Sequence, residues 1–259
     1  MYRFLATPRW LGLAALALIL AAVMAGLGNW QLHRYHERSA INARIDAGGS
    51  GPAVPITSVL TAPAGTGARV GPPLPATAEW KRVEVTGRYD PGHEILARGR
   101  TVDGSVGFEV LTPLLLADGS AVLVDRGWLP PPTGGDALAM PDVPPAPSDE
   151  VTVVGPIRRP ESGADKPVRH TVRRVSPATL GLPYPVYGGY VMLDEQTPTA
   201  DSRFTPVPAD HENAWMNAGY VVQWWAFAAL TLFGYGYLAH REAHADTTTD
   251  PDRAATVPV

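Results

Sequence analysis

The chain has 259 residues, of which 45% are hydrophobic and 18% charged, with a formal net charge of −4 at pH 7. That balance excludes a disordered chain and a compositional nucleic-acid binder. The absence of cysteine excludes disulfides, Cys-ligated zinc, iron–sulfur clusters and thiol catalysis.

In chain order, a short tail (residues 1–9) leads into an apolar run. Residues 10–27 (WLGLAALALILAAVMAGL) carry no charge or strongly polar group. As a helix they reach about 27 Å at about 1.5 Å per residue, close to the thickness of a bilayer core. Val23-Met24-Ala25 resembles a signal-peptide cleavage site. The run is long for a signal peptide, however, and the helix-compatible GNWQLHRYHER continues straight out of it. Residues 10–30 are therefore read as an uncleaved transmembrane helix. Residues 31–78 are read as a juxtamembrane helix followed, from residue 46, by a Pro/Gly-rich tether.

Residues 79–212 carry strand grammar and are expected to form a β-rich, barrel-like domain. KRVEVTGRY alternates polar and apolar residues, EILARGR is a second short run, and GFEVLTPLLLADGSAVLVDRGWL predicts a hairpin turning at Asp118-Gly119. Residues 130–147 are rich in proline and are read as a surface excursion. VTVVGPI, residues 171–175 and GGYVMLDE complete the predicted strands. From 214 to 239 no Lys, Arg, Asp, Glu or His occurs. Trp215, Tyr220, Trp224 and Trp225 stand at the start of that stretch, and Tyr235 and Tyr237 at its end, as in the aromatic belts of a spanning helix. Residues 213–239 are read as a second transmembrane helix and 240–259 as a tail. The expected class is a membrane protein with two transmembrane helices flanking a β-rich domain and both termini on one side. Arg3 and Arg9 balance Arg34 and Arg38, so the charges leave orientation open.

No nucleophile elbow, P-loop, HExxH or dinucleotide fingerprint is present, and no enzyme activity is expected. His33 and His36 lie one turn apart beyond the first apolar run, and His211 precedes the second. Neutral imidazole ligates haem iron or copper, which makes His33 and His211 weak metal candidates; interfacial histidines beside lipid headgroups are the plainer reading. Gln31 and Gln223 place amides at the depth of the outer leaflet, where each wants a partner and the two suit one another. Arg34 and Arg38 share a helix face and suit lipid phosphates or haem propionates. Around Arg126-Gly127-Trp128, the tryptophan is expected to fill the barrel mouth and the arginine to pair with an acid; a turn applied to a membrane or partner is the alternative.

Four segments then become recognisable in order. They are LGNWQLHR, through Trp30, Gln31 and Arg34; WKRVEVTGRY, through Trp80, Val83, Val85 and Gly87; GFEVLTPLLLADGSAVLVDRGWLP, through Gly107, Thr112, Pro113, Leu114, Gly119, Val124, Arg126, Gly127, Trp128 and Pro130; and YVVQWWAFA, through Tyr220, Gln223 and Trp224. With them the chain resembles the surfeit locus protein 1 family, the assembly factors of haem–copper cytochrome c oxidase. The resemblance implies a bacterial plasma-membrane protein with both termini cytoplasmic and the β domain outside. It implies assistance in providing haem a to subunit I, with haem a a transient cofactor. The implied partners are the oxidase subunits (subunit I first), the lipid bilayer and, as a further candidate, haem a synthase. The alternative is a structural accessory subunit of the oxidase or a respiratory supercomplex, without haem.

One departure stands out. Family members often carry a histidine, a suspected haem ligand, where this chain has Asn217. An amide is a poor iron ligand. Either haem is held another way, through His33 or His211, or this member assists without axial ligation. The expected site sets Trp30, Gln31 and Arg34 opposite Tyr220, Gln223 and Trp224. It is either a haem site or a clasp between the helices, and both readings stay open.

Overall fold

A computed structural model describes residues 2–134, 139–163, 167–209 and 211–245. The chain divides into a helical unit, Met1–Asn42 with Glu212–Val259, and a β unit, Ala43–His211.

The helical unit pairs α1 (Pro8–Ser50), whose last turns enter the β unit, with α2 (Ala214–Ala245). Pro8 opens α1 at a position where its missing N–H costs nothing. Asn213 caps α2, its Oδ1 accepting the Met216 N–H at 3.2 Å. The helices run antiparallel: Trp10 meets Tyr235 edge-on at 5.9 Å, and at the other end Gln31 meets Asn217. Among the described residues one helix, Pro8–Gly49, is long and apolar enough to cross a membrane, with a mean hydropathy of 2.4 in its most apolar window. That stretch leaves Leu11, Leu18, Ile19 and Val23 exposed, as a lipid-facing helix does. α2 likewise exposes Val222, Leu230 and Phe233.

The β unit contributes ten strands: β1 (Val54–Pro55), β2 (Val70–Pro73), β3 (Arg82–Tyr89), β4 (Ile95–Val102), β5 (Ser105–Leu115), β6 (Ala121–Leu129), β7 (Val151–Arg158), β8 (Thr171–Val172), β9 (Val186–Met192) and β10 (Glu195–Thr197). β3, β7, β9, β6 and β5 pair in that order, and β5 pairs back onto β3, so the sheet closes into a barrel. Closure is made by Arg88 opposite Leu115 and Tyr89 opposite Leu114. Gly87 permits it, because a Cβ there would stand 2.3 Å from the Leu115 carbonyl oxygen. Alternate residues of β3 point inward, and Val83 and Val85 join Leu114, Val122, Val124, Val153, Ile157 and Val191 in the core. The β5–β6 hairpin turns at Asp118-Gly119 as expected: Gly119 is left-handed (φ 79°), and Asp118 Oδ1 accepts from the Ser120 N–H at 2.9 Å.

Two readings of composition give way to packing. Residues 46–78 are not a free tether: α1 continues to Ser50, and β1 and β2 add to the sheet on β3 and β9. Ile56, Leu60, Leu74 and Ala78, set singly among prolines and glycines, are buried in the barrel core. The proline-rich excursion is likewise tied down beyond residue 139. Ala146 packs against the core, and the Pro145 carbonyl accepts from Arg126 at 3.2 Å. Residues 135–138 of that excursion, and the tail from residue 246, lie outside the described residues.

Candidate functional site: the polar seam of the helix pair

Between apolar helices, close packing at small residues and interhelical polar contacts together set the register. Here Asn217 Nδ2 donates to Gln31 Oε1 at 2.6 Å, with Asn217 buried. The Asn217 Oδ1 is buried and has no hydrogen-bond partner. Trp225 packs against Gly28, where a Cβ would come within 2.3 Å of its ring. Toward the far end of the seam, Asn42 and Glu212 mimic a backbone pair. Asn42 Nδ2 donates to the Glu212 carbonyl at 2.9 Å, and the Glu212 N–H donates to Asn42 Oδ1 at 2.8 Å. Arg38 donates to the Asn213 carbonyl at 3.2 Å and lies 3.7 Å from the Glu212 carboxylate.

The six residues expected to face one another are not gathered. Gln31 enters the seam, and Trp224 is half-buried. Trp30, Tyr220 and Gln223 are exposed on the outside of the pair. Arg34 is also exposed, and its Nη1 pairs with Glu37 at 2.9 Å. Gln31 takes Asn217, not Gln223, as its partner. Gln223 lies six residues beyond Asn217, about 240° round the helix, and so faces away. Sequence reading missed Asn42, Glu212 and Asn217 as partners. For Asn42 and Asn217 the available signal was an amide inside otherwise regular helix, where it favours a partner other than its own backbone; Glu212 meets Asn42 through its backbone and left no such signal.

The seam does not fit haem ligation. The Asn217 amide nitrogen is committed to Gln31, and the orphan oxygen beside it is a poor ligand for iron. His33 is exposed beside Glu37 at 3.3 Å, and His211, in the β unit, is held by Asp46 at 2.8 Å. Among the described residues no group of three or more His, Asp or Glu side chains is arranged to hold a metal ion.

The second constellation lies in the barrel, on the Asp125-Arg126-Gly127-Trp128 run of β6, a strand buried on both faces. Arg126, fully enclosed, pairs with Glu94 at 3.0 Å and stacks on Phe204 at 4.7 Å. Thr112 donates to the same Glu94 oxygen at 2.8 Å. On the opposite face Arg100 joins Glu109 at 3.0 Å to Glu161 at 2.8 Å. Asp125 accepts the Gly127 N–H at 3.1 Å. Burial, and then the neighbouring Glu109 charge, pushes the Asp125 carboxyl well above the usual carboxylate range; burial also raises Glu109, against the pull of Arg100. Trp128 is buried, and its Nε1 donates to the Arg100 carbonyl at 2.9 Å. The expectation that Arg126 pairs with an acid holds; Trp128 is buried, on the strand face it shares with Glu109 and opposite the core clusters. Arg126 and Arg100 each have carboxylate partners, which marks this constellation as bracing of the barrel.

Comparison with known proteins covers both units. The model of the SURF1 family matches residues 18–229. Uncharacterised SURF1-like proteins of Mycobacterium tuberculosis (strain H37Rv) and Mycobacterium bovis are each 30% identical over 268 residues, covering 98% of this chain and 94% of theirs. A SURF1-like protein of Monosiga brevicollis is 32% identical over 136 residues, 48% of each chain. With a closed β-barrel, a long apolar N-terminal helix and this match across most of its length, the chain belongs to the SURF1 family.

Proposed function

We propose that the protein is an assembly factor for haem–copper cytochrome c oxidase that aids the provision of haem a to subunit I. In this reading both helices span the plasma membrane of a bacterium, both termini are cytoplasmic and the barrel is extracytoplasmic. The observation that carries the reading is the family match, which runs from the first helix through the barrel into the second. The lipid-type exposure of Val222, Leu230 and Phe233 on α2 supports a second span.

Because the seam offers iron no fitting ligand, the chain's own contribution is to hold two helices in one register. Trp30, Arg34, Tyr220 and Gln223 then stand on the outer surface as contacts for subunit I or haem a synthase. A second reading, an accessory subunit without haem, is favoured by the commitment of Asn217 to Gln31. Affinity purification of a tagged chain from native membranes separates the two. Assembly predicts subunit I in the eluate at sub-stoichiometric yield, and none of the tagged chain in mature oxidase. Equimolar chain in the mature, active enzyme would establish the accessory subunit instead. An eluate without oxidase subunits would contradict both.

A further inference from the structure

At the junction of the last turns of α1 with the barrel lies a cleft of about 400 Å³, within the range of small-molecule sites. Its floor is Trp80, a large residue held in the left-handed region (φ 74°) with its ring stacked under Arg158 at 3.8 Å. Gly48 makes that placement possible, since a Cβ there would sit 1.9 Å from the Trp80 carbonyl oxygen. Val54 and Val59 supply apolar wall.

The charges in the cleft do not cancel. Glu79 is taken up by Arg158 and Arg159, at 3.4 and 2.8 Å. Arg82 is taken up by Asp194 and Glu195. Arg44 and Lys81 line the same cleft and make no ion pair among the described residues, and the Arg44 Nε is buried without a hydrogen-bond acceptor. A buried guanidinium donor with nothing to donate to is costly unless an acceptor arrives. Two unpaired cations beside an aromatic and aliphatic wall match a dianion carried on an apolar group.

We propose that this cleft binds a phosphate monoester with an apolar substituent, the phosphate on Arg44 and Lys81 and the substituent against Trp80, Val54 and Val59. The site is independent of any haem-related reading of the helix pair. The test is calorimetric titration of the full chain, in nanodiscs of phosphatidylcholine alone, with hexyl phosphate and with inorganic phosphate. Hexyl phosphate is expected to bind saturably, and Arg44→Gln or Lys81→Gln to weaken it at least about tenfold. Arg88→Gln, at the far end of β3, is expected to leave binding unchanged. Inorganic phosphate is expected to bind at least about tenfold more weakly, lacking the apolar contacts. Repeating the titration in nanodiscs doped with phosphatidic acid identifies the source: competition supports a lipid headgroup, and unchanged binding supports a soluble phosphate ester. Absence of saturable binding, or binding indifferent to both Arg44→Gln and Lys81→Gln, would overturn the site. Lys81 is exposed, so its variant keeps the test valid if Arg44→Gln misfolds. Equal affinity for hexyl and inorganic phosphate would overturn the apolar subsite.

Discussion

Trp128 is held by packing and by a hydrogen bond: its ring fills space that Gly107 leaves open, its Nε1 donates to the Arg100 carbonyl, and its neighbours brace the barrel. Truncating a buried tryptophan costs about 3–5 kcal/mol, a sizeable part of a domain's roughly 5–15 kcal/mol. Trp128→Ala is therefore expected to deplete the protein from membranes, with oxidase lost only as a consequence; immunoblotting beside oxidase activity checks this. Normal protein with no oxidase would instead make Trp128 a functional contact. Asp125 supports a pH prediction. Its folded-state pKa is raised, so its contribution is fully present below the ordinary carboxylate range near 4 and is lost as pH rises through the elevated folded value. Asp125→Asn keeps an acceptor for the Gly127 N–H but cannot ionise. Denaturant unfolding across pH should show the decline above about pH 4 flattened, by up to about 1.4 kcal/mol per pH unit for one proton. An unchanged slope would contradict it. The partners of these residues were only half legible. That Arg126 wants an acid follows from its type, but Glu94 stands 32 positions away and is brought in by the β-sheet.

At the scale of elements, the strands with period-two alternation were legible, because one buried face writes itself into the sequence; RVEVTGRY is the clearest case. Residues 54–74 were not, because Ile56, Leu60 and Leu74 anchor a segment whose composition is otherwise that of a linker. The helix pairing was legible in kind and not in rotation. Amides near the apolar runs pointed to a polar contact, but which amide meets which is set by the close approach of Gly28 and Trp225. That approach is testable in a chain without cysteine, where an introduced pair is the only thiol pair. Met24→Cys with Thr231→Cys, positions whose side chains approach to 3.7 Å, should cross-link across the helices. Adding Gly28→Val should abolish the cross-link by forcing Trp225 out. Cross-linking at full yield with valine in place would refute the packing.

For the whole molecule, a barrel braced by internal ion pairs and a helix pair locked by amides form a scaffold whose distinctive residues at Trp30, Arg34, Tyr220 and Gln223 face outward. On the function proposed above, a chain so arranged works by presenting that surface to the oxidase. The most direct measurement is the reduced-minus-oxidised haem a signal, normalised to subunit I, in membranes of the source organism lacking this chain and complemented with it. Haem a per subunit I is expected to fall without the chain and to recover with the wild type. Recovery is also expected with His33→Ala and His211→Ala, since neither is placed to ligate iron in the seam. An unchanged ratio of haem a to subunit I in the strain lacking the chain would contradict it.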